Sequence, residues 1–473
     1  VRQGRGLTGW ALVVAMLLSG ALAPAKAQSL QDAVAAALRT NPRLQAERAL
    51  LEATGSEGAE ARAAGRPSIE AGANYEIGTG DYTLGPNGEA LLGEVLGPPE
   101  QGEPSSEALA LGGQGGDGRF SARLGVVQPL FTGFRIRNGI RRADAATRAA
   151  EAQLALVEQS VVVETAEAYL AVVAAMARLE AALQAASRFR SASRAAQLRF
   201  EAGEATRTDT ALADARTAQA RGQVAAAEAA LAAARAALSR LVGPDIAGRV
   251  SSDPATIGNV PAVPDNAEAA IALALANSPE IAAADAAVAA REAELRIAKG
   301  RRAPSLRARA GATYAEDQFV RGDEVTALTL TAELSVPLFE GGAISADIRG
   351  ARARLRAQRD LREDARRRVE ARVRTAFAQL IAAEAQADAA AARADAAALA
   401  ARGAALERDV GQRTLLDLLL AEQDLAEARF ARIDARASVF LAAYRLREAM
   451  GNLLTAKGVS GQLGSEGIRG AGR

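Results

Sequence analysis

The side chains that could do chemistry in this chain fall into two short constellations of equal spacing. Gly203, Thr206 and Asp209 recur 208 residues later as Gly411, Thr414 and Asp417, and the second set adds Arg413, with Arg408 just upstream. Each carboxylate suits the start of a helix, where the dipole favours negative charge, or could offer its charge to a cation or a basic side chain. Neither set holds a nucleophile beside a base. The chain has no His and no Cys, which removes the Ser-His-Asp triad, the thiol nucleophile, the zinc-finger-type site and haem ligation by those residues. No EF-hand spacing appears. Gly113, Gly115 and Gly118 satisfy G-x-G-x-x-G, but they follow a loop and precede a strand, the wrong context for a dinucleotide. No catalytic residue, metal site or cofactor is expected, and an enzyme is not the expected answer.

Composition sets the frame for those residues. The chain has 473 residues, 49% hydrophobic but only 3% aromatic, which favours long helices packed at close range over compact cores. Its 57 basic and 56 acidic residues leave a net charge of +1, so nothing draws it toward nucleic acid. The dense run 349–374, with eleven Arg against four acids, reads as a solvated or lumen-facing helix side.

Residues 1–27 read as a cleaved secretory signal. Arg2 and Arg5 precede an apolar run from Trp10 to Leu22, and Ala25-Lys26-Ala27 is the small-x-small step before cleavage. A run this short falls below the roughly 20 residues of a spanning helix. No Cys follows for lipidation. The expected mature protein is exported, not lipidated, and has no spanning helix.

The remainder is written twice. Asn41-Pro42 and Pro67 recur as Ser278-Pro279 and Pro304 at an offset of 237. Pro129-Leu130-Phe131, Gly133 and Gly243 return as Pro337-Leu338-Phe339, Gly341 and Gly451 at 208, so a single length change of 29 lies between Pro67 and Pro129. That interval holds the Gly- and Pro-rich loop 78–118, much longer than its counterpart 315–325. The boundaries expected are a first repeat 28–243, a linker 244–264, a second repeat 265–451 and a mobile tail 452–473.

Each repeat should open on a short capped helix (Ser29 with Asp32, Asp265 with Glu268) broken at the X-Pro step. A second helix and two strand-like segments follow. A helix over 134–202 or 342–410 comes next, roughly 100 Å long at 1.5 Å per residue, which predicts an elongated molecule. A turn then reverses the chain into a return helix. Val172, Met176, Leu179 and Leu183, and Leu231, Ala234, Leu238 and Leu241, keep coiled-coil seam spacing.

Apolar residues alternate with polar ones over 69–77, 119–127, 305–314 and 326–336. Such lengths match membrane strands of ~9–11 residues, and the alternative is an antiparallel sheet on a soluble core. Four strands cannot close a barrel and open edges are not tolerated in lipid, so spanning strands require several copies. Pro129 and Pro337 should stop ladder pairing at the strand ends.

The signal segment, the duplicated strand pair with its helical hairpin, and the Gly-to-Asp turns together resemble the TolC family of outer-membrane efflux proteins over residues 29–451. The resemblance implies a mainly α fold with membrane β: a trimeric 12-stranded β-barrel continued by a 12-helix α-barrel. It implies an outer-membrane channel reaching into the periplasm of a Gram-negative cell. Such a duct exports its substrate passively, as part of a tripartite efflux or type I secretion system. The implied partners are a periplasmic membrane-fusion adaptor, an inner-membrane pump of RND, ABC or MFS type, and outer-membrane lipid. The tip residues it marks are Gly203, Thr206, Asp209, Gly411, Arg413, Thr414 and Asp417. It implies that Arg413 pairs with a neighbouring protomer's Asp209 when closed, and that Asp417 forms a threefold ring. Arg408 stands where some members carry a Tyr, and Leu420 where some carry an acid. The competing reading is a periplasmic coiled-coil scaffold or adaptor without a pore.

Overall fold

A computed structural model describes residues 29–77, 118–248, 250, 260–316 and 324–453. The leader, the long loop up to residue 117 with its glycine pattern, and the tail beyond 453 lie outside the described residues. The chain is mainly helical and divides into two compact units. One combines Arg148–Asp285 with the chain up to Leu51 and from Leu361 onward; the other combines Glu52–Thr147 with Ala286–Asp360.

The element order is α1 (Leu30–Thr40), α2 (Pro42–Ala63), β1 (Ser68–Ile77), β2 (Gly118–Phe131), α3 (Arg135–Glu201) and α4 (Arg207–Val242). After the short α5 (Pro244–Ala247) come α6 (Ala267–Asn277), α7 (Pro279–Gly300), β3 (Ser305–Glu316), β4 (Glu324–Ser335), α8 (Ala343–Asp409) and α9 (Leu415–Ala449). Helices α3 and α8 have 67 residues each. Local chemistry sets the breaks. Ser29 and Asp32 close a reciprocal capping box on α1. Asn41 and Ser278 share a ψ of 122°, the extended backbone that the following proline demands. The cap of α6 differs from expectation. Asn266, not Asp265, accepts from the Ala269 N–H at 2.8 Å, because its amide oxygen stands at the residue whose backbone is extended.

In the second unit the four strands form one antiparallel sheet in the order β1-β2-β3-β4. The register aligns like with like: Ala71, Leu124, Ala312 and Leu328 form one cross-sheet row, and Ile69, Val126, Ala310 and Leu330 the next. The opposite face carries Glu70, Arg123, Arg309 and Glu333, with Arg309 and Glu333 paired at 3.2 Å. Pro129 does not end β2. It pairs with Arg307, and a bulge at Leu130 brings Phe131 opposite Leu306, on the apolar face. The extra residue resets the side-chain alternation. β4 does stop at Ser335, before Pro337.

Gly133 and Phe134 take positive φ values of 62° and 63° to turn β2 into α3. Phe134 sits edge-on against Phe131, ring centres 5.4 Å apart. The turn lies against the end of α7 so closely that a Cβ on Gly133 would be 2.4 Å from the Gly300 carbonyl oxygen. The side-by-side order α2, α3, α7, α8 is tied by Arg62–Asp144 at 2.6 Å, by this glycine contact, and by Arg359–Glu292 at 3.0 Å.

In the first unit, one core gathers Leu30, Val34, Tyr169, Val172, Leu238 and Leu241, with Met176 and Leu179 packed against it. Leu183, expected in that seam, is 51% exposed. A second core joins Ile271, Val373, Leu446 and Met450. Helix α3 contains an 18-residue stretch of mean hydropathy 1.5, apolar enough to cross a membrane, and the bent pair α6–α7 also passes that test as one span. More than half of the α3 stretch is buried within the protein, so burial by neighbouring helices accounts for its apolarity.

Candidate functional site

The sequence constellations lie at the turns α3–α4 and α8–α9. Each long helix ends in a Schellman motif, the 6→1 and 5→2 hydrogen-bond pair that closes a helix through a left-handed residue. Glu204 N–H donates to the Arg199 carbonyl at 2.8 Å and Gly203 N–H to Phe200 at 3.0 Å; Gln412 and Gly411 repeat this on Glu407 and Arg408 at 2.8 and 3.0 Å. Gly203 and Gly411 have φ of 74° and 78°, a region open to glycine without strain.

Two residues on, each return helix starts with a capping box. Thr206 N–H and hydroxyl donate to Asp209 Oδ2 at 3.0 and 2.8 Å, while Asp209 N–H donates to the Thr206 hydroxyl at 3.2 Å. Thr414 and Asp417 do the same at 3.1, 2.7 and 3.2 Å. Backbone and side-chain bonds from Thr206 hold the Asp209 carboxyl below the usual carboxylate range. The Thr414 hydroxyl and backbone, aided by Arg413, do so for Asp417. Both carboxylates are ionised at neutral pH, each with Oδ2 committed to its own cap.

The two tips meet inside the first unit. Phe189, Ala213 and Ala220 of the first hairpin pack with Leu415 and Leu419 of the second. Arg199 reaches Asp409 at 3.7 Å. Arg408 is only 9% exposed; burial, with Arg199 nearby, lowers its pKa, opposed by Asp409. Arg413 donates Nε to Glu407 Oε2 at 2.5 Å. Within one chain, therefore, Arg413 is held by its own tip and not by Asp209.

Sequence reading missed a half-buried cluster higher on the hairpins. Arg188 Nε lies 2.7 Å from Glu422 Oε2, an ion pair between the two hairpins. Arg429 adds a second positive charge and donates to Gln184 at 3.0 Å. Burial raises the Glu422 pKa, and both arginines oppose it. Its members come from different hairpins over 200 residues apart, and the only signal was an acid at a helix position otherwise facing the core.

This arrangement positions charged side chains at two hydrogen-bonded turns. Among the described residues, no group of three or more acidic, His or Cys side chains is gathered to hold a metal. The profile of the family described as Outer membrane efflux protein matches residues 33–244 and 270–452. The Outer membrane efflux protein BepC of Brucella suis biovar 1 (strain 1330) is 30% identical over 454 residues, 93% of this chain and 90% of that protein. The solved outer membrane protein VceC from Vibrio cholerae superposes with a TM-score of 0.71 at 18% identity, over 89% of this chain and 96% of that one. The open state of the MtrE channel of Neisseria gonorrhoeae gives 0.70 at 21%, over 90% and 89%. At such identity the structures speak for the fold, and the two sequence matches speak for kinship. The chain is thus a member of the outer membrane efflux protein family, the TolC-like channels.

Proposed function

We propose that this chain is the outer-membrane channel-tunnel of an efflux system, carrying substrate outward without chemical change. Three copies would close a 12-stranded barrel, continued below by a tunnel of twelve helices, with residues 28–243 and 265–451 as its repeats. The observation that carries the reading is the sheet. Leu328 and Leu330 are each 84% exposed on a face whose rows are apolar across all four strands, while ions line the reverse face. In water such a face is unfavourable at about 25 cal/mol per Å²; in lipid it is at home.

Aromatic residues bound that face. Tyr75, Phe120 and Tyr314 lie at one end, and Phe131 with Phe134 packed on it at the other. The eleven steps from Phe120 to Phe131, at ~3.3 Å each and tilted ~40°, cover about 28 Å, close to the ~25 Å apolar band of membrane barrels. Because β1 and β4 are the outer strands and run in opposite directions, copies can join β4 to β1 with every pair antiparallel.

The tips would serve as the periplasmic gate. Asp209 and Asp417 keep their second carboxylate oxygen outside the cap, available to neighbours. Closing would transfer Arg413 from Glu407 to a neighbouring copy's Asp209, with Arg408 buttressing the turn. An adaptor and an inner-membrane pump would open it and supply the energy. The test is the mass of the detergent-solubilised protein together with conductance in a planar lipid film. Three chains per particle and discrete conductance steps are expected; a single chain without steps overturns the reading.

A further inference from the structure

Resting on the proposed ring of copies, we infer that the seam between neighbours is an electrostatic zipper, with α2 of one copy docking through its glutamates on the arginines of α8 from the next. The charges concerned all belong to the second unit.

Inside this unit, adjacent helices are laced by arginine–carboxylate pairs. Arg62 of α2 takes Asp144 of α3; Arg301 and Arg359 of α8's neighbourhood take Asp347 and Glu292 across the α7–α8 junction. The two outer helices of this row, α2 and α8, also carry exposed charges that no described residue pairs. On α2, Glu52, Glu57 and Glu60 are exposed and form no ion pair among the described residues. On α8, Arg349, Arg352 and Arg356 are exposed and likewise form no ion pair among the described residues, whereas the nearby Arg354 and Arg359 are taken by Asp347 and Glu292. The exposed, unpaired charges are thus acidic over 52–60 of α2 and basic over 349–356 of α8.

Their heights match. Helix α2 runs toward the sheet and α8 runs away from it, because one precedes β1 and the other follows β4. Counting from the helix ends nearest the sheet at 1.5 Å per residue, Glu60, Glu57 and Glu52 stand about 4, 9 and 16 Å down α2. Arg349, Arg352 and Arg356 stand about 9, 14 and 20 Å down α8. The order Glu60–Arg349, Glu57–Arg352, Glu52–Arg356 follows from antiparallel alignment with a shift of less than one turn. Joining β4 to β1 of the next copy brings these same two helices side by side. Like faces would repel, so the pattern also rejects a reversed or head-to-head pairing of sheet edges.

The chain has no Cys, so engineered thiols report without background. Full-length protein carrying E57C together with R352C should form intermolecular disulfide-linked dimers and trimers on oxidation. The control pair E57C with R366C should not. Reversing one side (E52R/E57R/E60R) or the other (R349E/R352E/R356E) should lower the trimer-to-monomer ratio in mild detergent about tenfold. Reversing both sides in one chain should restore it, which separates a lost seam from a failure to fold. Unchanged trimer in both one-sided variants, or no recovery in the doubly reversed chain, overturns the zipper while leaving a conducting wild-type trimer and the channel reading intact. A wild-type protein that is a single chain overturns both.

Discussion

Arg199 Nη2 lies 3.7 Å from Asp409 Oδ1, joining the last turns of two 67-residue helices that belong to different hairpins. The contact sits beside the buried Arg408, so the two tips form one connected structure and should respond to a change in either. An exposed pair of this kind contributes only about 0.2–1 kcal/mol. That magnitude suits a gate, which has to yield to a partner.

Arg413 has two competing carboxylates, its own Glu407 and, in the proposed ring, a neighbour's Asp209. R413A should raise the open-to-closed ratio in single-channel recordings by at most about fivefold per subunit, the factor set by ~1 kcal/mol. E407Q should act in the opposite direction, because it releases Arg413 to the neighbour. Equal increases in both variants would remove the proposed exchange of partners.

Acid and base should act on this protein through different carboxylates. Asp209 and Asp417 have lowered pKa values, so the stability they contribute is complete above ~3.9 and is lost as pH falls through the depressed value. Hydrogen exchange at the first turns of α4 and α9 should accelerate there. Glu448 behaves inversely. Burial raises its pKa, against Arg372 and Arg445, so its stabilising neutral form is complete below ~4.3 and is lost as pH rises through the raised value. E448Q should therefore be more resistant to urea than the wild type at pH 7 and equal to it at pH 4; equal midpoints at both would contradict the assignment.

Leu328 distinguishes a lipid-facing sheet from a water-facing one. L328R should cost about 2–4 kcal/mol if the residue sits near the bilayer midplane, seen as a loss of folded, heat-modifiable protein in vesicles. A surface substitution in water stays within about 0.5 kcal/mol. Wild-type yield from L328R would place that face in solvent.

The meeting of Gly133 and Gly300 leaves no room for a methyl group on either side. A Cβ on Gly300 would stand 2.4 Å from the Gly133 carbonyl oxygen. G300A should destabilise the protein by about 1–3 kcal/mol, measured as a lowered denaturation midpoint, while G139A, inside α3 with nothing within 4 Å, should be neutral or stabilising by up to about 1 kcal/mol.

Much of this was legible in the amino-acid order because it depends on neighbours along the chain. Helix breaks at Asn41-Pro42 and Ser278-Pro279, the left-handed turns at Gly203 and Gly411, and the alternation of Leu328, Leu330 and Leu334 follow from local backbone sterics and from periods of 3.6 and 2. The Pro129 expectation failed for a nonlocal reason: β3 supplies Arg307 and Leu306 as partners, and the bulge lets the strand continue. Asn266 displaced Asp265 as a cap because one residue's backbone conformation decides between adjacent polar side chains.

Which charges face which was decided by the tertiary structure alone. Glu407 takes Arg413, Glu422 sits between Arg188 and Arg429, and Glu52 and Arg356, on different helices, pair with no described residue. Local sequence fixes where a helix starts and stops, since those energies involve residues three to five apart. Electrostatic partnership depends on distances across the fold, and two halves written alike become different surfaces once each has packed against the other.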